Sequence, residues 1–232
     1  MYPQRRMVSQ ALRLGLLVAL VVLAMSACGG EKQQQESKSR PLPEDPQALR
    51  PGEYRSEEFK PSLSFKVGKG WSSTPLEASD HVAIARGETA GIGFENVQEV
   101  YKPTTGTPNV VEAPRDLVSW FQQHPYLKTD KPEQITVGEV KGEQFDVVIE
   151  DLPEDYAGGC QHVVVSVECV DLYRQSTGQP VFLTERYKVR VIVLEDVGGE
   201  TVSIGIGSPA TEFDEFAPEA QKVVDTVEWR GS

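Results

Sequence analysis

Leu63-Ser64-Phe65-Lys66-Val67 alternates apolar and polar side chains, a period of two that places every second residue on the same face of an extended strand. Runs of this kind recur at residues 82–86, 91–101, 135–139, 143–150, 163–173, 181–194 and 201–207. Gly, Pro, Asn and Asp separate them, as turns require. Gly68-Lys69-Gly70 turns the first run into Trp71, and hairpins are expected at Val140-Lys141-Gly142 and at Asp196-Val197-Gly198-Gly199. Strands joined by such short connections form a sheet that is antiparallel in large part.

Helical spacing occurs twice. Pro114-Arg115-Asp116 opens a segment in which Leu117, Val118, Trp120 and Phe121 share an apolar face, and His124-Pro125 closes it. Near the end of the chain Phe213, Phe216, Ala220, Val223, Val224 and Val227 recur at three- and four-residue intervals. Pro218 interrupts that run, so a turn over 211–216 and a helix from Pro218 are expected. Both apolar faces need a sheet to cover.

The first 27 residues follow a different rule. Arg5, Arg6 and Arg13 precede an uncharged stretch of 14 residues, Leu14 to Ala27, whereas a membrane-spanning helix needs about 20. Cleavage after Ala27 would put bulky Met25 at the −3 position, against the small-residue preference of plain secretory sites. Met25-Ser26-Ala27-Cys28 instead resembles the lipobox of bacterial lipoproteins, with Met in place of the commoner Leu. The resemblance implies a signal peptide over 1–27, removed on export, and two or three acyl chains on Cys28 at the outer face of the cell membrane. Two chains suffice for stable anchoring, because each buried methylene contributes about 0.8 kcal/mol. Arg5-Arg6 lacks the usual continuation of a twin-arginine signal.

Residues 28–57 are rich in Gln, Glu, Lys, Pro and Ser and hold few large apolar side chains. Such a segment buries too little surface to offset its ordering entropy and reads as a flexible linker, with a span of about 30 Å as a coil. Residues 58–232 then form a single globular domain. The whole chain has 35 Asp+Glu against 23 Lys+Arg, and loss of residues 1–27 removes three arginines and no acid. That acidity excludes nucleic acid and anionic lipid surfaces as partners.

The phrases Phe59-Lys60-Pro61-Ser62-Leu63-Ser64-Phe65-Lys66-Val67 with Gly70-Trp71, Val137-Gly138-Glu139-Val140-Lys141-Gly142, and Phe213-Asp214-Glu215-Phe216-Ala217-Pro218 through Val227-Glu228-Trp229 resemble the Mog1/PsbP-like domains of exported bacterial lipoproteins. The resemblance covers most of residues 58–230 and rests on packing motifs. It implies an α+β fold, an α/β/α sandwich around a mainly antiparallel central sheet, and it favours interaction over catalysis. Cys160, Cys169 and the acidic insertion 150–159 depart from that pattern.

Cys160 and Cys169 are an even pair in an oxidising compartment, which invites a disulfide if their α-carbons approach within about 7 Å; two free thiols are the other reading. Two cysteines and His162 do not complete a metal site. Glu150, Asp151, Glu154 and Asp155 match no EF-hand spacing and read as a solvated acidic loop. Neither metal nor cofactor is expected. His81 and His162 read as exposed loop polarity, and His124 as charge at a helix C-terminus. No nucleophile elbow, zinc-protease motif or phosphate-binding loop occurs, and Gly205-Ile206-Gly207 is a pair of strand glycines.

Trp120, Phe121 and Trp229 continue apolar faces and read as core. Trp71 and Tyr126 stand at loop edges, where core or rim packing competes with a half-exposed aromatic that serves a partner. The leading expectation is a non-catalytic binding module for a protein or another envelope component, acting through a sheet edge or the loop of Glu150, Asp151, Glu154, Asp155 and Tyr156. The alternative is a small-ligand carrier, for which a cavity above about 300 Å³ with convergent polar groups is the mark. An enzyme would need a cleft in which a histidine reaches both a carboxylate and a hydroxyl.

Overall fold

Period-two patterning becomes three sheets in the computed structural model, which describes residues 39–103, 109–150, 152–153, 156 and 168–230. The chain divides into two units, Met1–Ser37 and Lys38–Ser232. The first lies outside the described residues, and the second carries the whole fold discussed below.

The first small sheet runs β1 (Arg40–Pro41), β2 (Gly52–Arg55), β3 (Ser62–Val67) and β16 (Glu228–Arg230). The central sheet begins with β4 (Trp71–Ala78), β5 (His81–Arg86) and β6 (Ala90–Asn96). It continues through β15 (Glu200–Pro209), β14 (Tyr187–Val197), β11 (Val140–Ile149) and β10 (Glu133–Val137). A short β9 (Leu127–Thr129) also pairs with β11. The second small sheet consists of β13 (Pro180–Thr184), β12 (Cys169–Arg174), β7 (Glu99–Tyr101) and β8 (Val110–Glu112). Two helices complete the described fold: α1 (Leu117–Gln122) and α2 (Phe213–Val224).

Register decides what each face of the central sheet presents. Val82, Ile84, Ile92, Phe94, Ile204 and Ile192 are cross-strand neighbours on one face. They pack with α2 and the β2–β3 side of the first small sheet into one core. The opposite face carries Phe145, Val147, Val191 and Val193 on β11 and β14, which pack with α1 and the second small sheet into another core. Phe121 of α1 meets Phe145 and Tyr173 edge to face, with centroids 5.4 and 5.9 Å apart. Asp116 caps α1 by accepting the Ser119 N–H at 2.8 Å.

The architecture is sheet-dominated, with one helix and one small sheet on each side of the antiparallel central sheet, rather than the α/β/α sandwich expected. Among the described residues nearly all the apolar runs have strand period, so only two short segments there form helices. The linker expected over 28–57 is shorter than that range, because Leu42, Leu49 and Tyr54 are buried in the α2-side core and β1 pairs with β2. The expected run 91–101 breaks between Asn96 and Glu99, and the run 181–194 breaks between Thr184 and Tyr187. Helix α2 starts at Phe213, not at Pro218. Pro218 faces solvent, where water can take the carbonyl that loses its N–H, while the face of Phe213, Ala217, Ala220 and Val224 is buried. Among the described residues, no helix is long and apolar enough to cross a membrane.

The first expected hairpin turns two residues earlier than Val140-Lys141-Gly142. Val137 pairs with Val140, and Gly138 and Glu139 form the turn at φ +54° and +69°. These are the positive values that a two-residue hairpin of matching twist requires. A β-carbon at Gly138 would also lie 2.7 Å from Cδ1 of Trp229, whose Nε1 donates to the Val137 carbonyl at 3.0 Å. Gly138→Ala is therefore expected to cost about 2 kcal/mol in urea unfolding, whereas Glu139→Asn, a residue tolerant of that backbone region, should cost nothing measurable.

Candidate ligand-binding groove

The half of the central sheet that α1 leaves uncovered has an unusual surface. On β5, β6 and β15, alternation that sends Val, Ile and Phe to one face sends Ala83, Ala85, Gly91, Gly93, Gly205 and Gly207 to the other. Ala83, Gly93, Gly205 and Val191 form one cross-strand row, and Ala85, Gly91, Gly207 and Val189 the next. The β12–β13 hairpin stands over this floor, with Leu172, Tyr173, Val181 and Phe182 facing it. Between floor and hairpin lies a groove of about 720 Å³. Phe182, at 40% exposure, is the one large apolar side chain exposed among the described residues, and it sits on the rim.

Not every floor glycine is there for backbone reasons. A β-carbon at Gly91 would fall 2.7 Å from the Ile84 carbonyl oxygen, so the close approach of β5 requires glycine there. At Gly93 and Gly205 the nearest atoms to such a carbon are 3.7 Å away, and neither has a positive φ. Glycine inside a strand gives up about 0.5–1 kcal/mol relative to alanine. These two positions have room for a β-carbon in ordinary contact with Glu95 and Val189, and glycine leaves that room unfilled.

The groove ends in polar residues. The next row of the register is His81, Glu95 and Ser203. Nδ1 of His81 contacts Oε1 of Glu95 in a short, buried pair. Burial pushes the Glu95 carboxyl above its ordinary value, against the pull of His81 and of a hydrogen bond from Gln175. His81 is 7% exposed, and its Nε2 is buried and without a hydrogen-bond partner among the described residues. The Ser203 hydroxyl is hydrogen bonded to the Tyr173 hydroxyl at 3.1 Å. Burial pushes the Tyr173 hydroxyl up, so it stays protonated. The hairpin tip is tied down beside this end, where the Asp80 carboxylate accepts from the Ser176 N–H and hydroxyl, each at 2.6 Å. Among the described lining residues there are three carboxylates, Glu77, Glu88 and Glu95, and no lysine or arginine.

Two expectations about histidine are corrected. His81 is not exposed loop polarity, because alternation along β5 turns it onto the covered face. His124 is not a helix-end charge: it is buried under Trp120 and Tyr126, with ring centroids 5.2 and 5.9 Å away. Desolvation lowers its pKa to about 4, and its Nδ1 accepts the Tyr126 N–H at 3.3 Å, which needs a neutral ring. Among candidate aromatics, Trp71 is buried at 2% exposure against Phe216, 6.1 Å between centroids, and offers nothing to a partner. Tyr126 is half-buried and packs edge to face on Tyr156 at 4.9 Å. Burial, then the charge of Asp171, pushes the Tyr156 hydroxyl up to about 12.

Of the acidic-loop candidates, Glu150 pairs with Lys128 at 3.0 Å on an exposed strand end. Asp151, Glu154 and Asp155 lie outside the described residues, as do Cys28, Cys160 and His162. Cys169 opens β12 and is buried. The groove brings none of these residues together. Its own residues were each visible in the sequence, but the register that assembles them joins positions more than 100 residues apart.

No family model matches the chain, and no curated protein matches it. Among solved structures, the chain is similar to the solution structure of cyanobacterial PsbP (CyanoP) from Synechocystis sp. PCC 6803, at 10% identity and a TM-score of 0.40, over 78% of this chain and 94% of that one. The chemistry of the groove is read from its own residues.

Two outcomes follow from this geometry. Gly93→Ala should leave urea stability unchanged or raise it by up to about 1 kcal/mol, whereas Gly91→Ala should lower it. For His124, the unfolded chain takes up a proton near pH 6.5 and the folded chain only near 4. Stability is therefore lost as pH falls through that window, by about 3 kcal/mol once complete, and His124→Phe should flatten that part of the pH–stability curve.

Proposed function

We propose that this protein is an extracytoplasmic binding protein, anchored to the cell membrane through acyl chains on Cys28, that holds a small ligand in the groove between the central sheet and the β12–β13 hairpin. The observation that carries this reading is a groove of about 720 Å³ whose floor is cleared by Gly93 and Gly205 and whose end holds a buried, unpartnered His81 Nε2. Its size falls in the range of small-molecule sites, and a mostly apolar lining with a few converging polar groups fits the same class.

The reading is non-catalytic. His81 touches a carboxylate, but the hydroxyl in the same cross-strand row, Ser203, stands two strands away, about 10 Å from backbone to backbone. Its hydroxyl is already engaged with Tyr173. That arrangement suits orientation of a bound group better than attack on it. We hold binding of an envelope protein through the loop around Glu150 as the second reading, because Tyr126 and Tyr156 form a half-buried aromatic pair beside it. In either case a Cys160–Cys169 disulfide would tie that loop to β12, the strand that roofs the groove.

The test is organic extraction of the protein purified from its own envelope, followed by mass spectrometry. A small molecule recovered from wild type and missing from Gly205→Leu is expected. Equal recovery from both, or recovery from neither, would count against the groove.

A further inference from the structure

The shape and charge of the groove restrict what it can hold, and this inference rests on the proposal that the groove binds a ligand. From β5 to β14 the floor spans three strand spacings, about 14 Å, and from the His81 row to the Ala85 row it runs four residues, about 13 Å. It is nearly as broad as it is long; at its centre Gly91, Gly93, Gly205 and Gly207 raise no side chain above the backbone and Ala83 and Ala85 beside them raise only methyl groups, while Val189 and Val191 stand along the β14 edge. An alkyl chain is best enclosed by a tunnel of branched side chains. A central floor of peptide planes, α-carbons and two alanine methyls instead matches the face of a flat ring system.

Charge narrows the class further. Glu77, Glu88 and Glu95 line the groove, and no described lining residue is a lysine or arginine that would match an anionic head. A carboxylate or phosphate would be brought toward like charge in a poorly solvated site. At the polar end, a His81 ring that donates from Nδ1 to Glu95 has Nε2 as an acceptor when neutral and as a donor when protonated, and the other neutral tautomer also makes Nε2 a donor. A hydroxyl serves both states, since it can donate and accept. We infer that the ligand is an uncharged ring compound lying flat on the glycine floor, with a hydroxyl at its edge hydrogen bonded to His81 Nε2.

The experiment uses the full chain in lipid nanodiscs, with empty nanodiscs as reference, in equilibrium dialysis against 2-naphthol, naphthalene, 1-dodecanol and dodecanoate in turn. Expected are retention of both ring compounds above the reference, 2-naphthol about fivefold more tightly than naphthalene, and loss of both in Gly205→Leu and Gly93→Leu. In His81→Ala the preference for 2-naphthol should vanish while naphthalene stays bound. Equal retention of 2-naphthol and naphthalene by wild type would overturn the hydroxyl contact whether or not His81→Ala folds. A preference that survives His81→Ala would overturn the role of His81. Retention of 1-dodecanol or dodecanoate in place of the rings, sensitive to Gly205→Leu, would overturn the ring class and leave the groove standing. If no probe responds to the filling variants, both the ring class and the groove fall.

Discussion

Everything in this fold depends on the two faces of one antiparallel sheet being written into the same strands. Successive residues of β5, β6 and β15 point to opposite sides, so Val82, Ile84, Ile92, Phe94 and Ile204 pack against α2 while Ala83, Ala85, Gly93 and Gly205 face the β12–β13 hairpin. The apolar side supplies the burial that lets these strands tolerate glycine on the other. A slip of one residue anywhere would exchange the faces, burying His81 and Glu95 in the α2-side core. Register and groove are therefore a single constraint.

The hairpin roof follows from the same geometry. Where β11 and β14 bear Phe145, Val147 and Val191, the second small sheet and α1 pack down on them. Where the strands bear only glycine and alanine there is nothing for the roof to pack on. Leu172 and Tyr173 anchor it on one side, Asp80 ties its tip through Ser176, and the space between stays open. The buried His81–Glu95 pair closes one end with groups that balance each other, which is how two titratable side chains persist in an apolar surrounding.

Strands with strict alternation and a clear terminator could be read from sequence, as Leu63 to Val67 and the Gly198-Gly199 turn illustrate. What escaped were features decided by contacts across the chain. Gly142 looked like a turn residue, but it lies inside β11, where a β-carbon would sit 2.1 Å from the Val193 carbonyl oxygen. Trp71 followed a glycine turn and stood open between core or rim packing and a partner-facing role; Phe216, 145 positions later, covers it. His81 read as exposed loop polarity, yet its burial depends on Glu95 and on a hairpin from the distant end of the domain. Gly205 and Gly207 were seen as a pair, and only their register with Gly93 and Gly91 turns two pairs into a floor.

The most direct measurement is a crystal structure of the protein purified from its own envelope. Electron density lying on Gly93 and Gly205, within hydrogen-bond reach of His81 Nε2 and beneath the β12–β13 hairpin, is the predicted result. A hairpin packed down onto the glycines, with Tyr173 or Phe182 filling the space and His81 Nε2 bonded to the protein itself, would contradict the account.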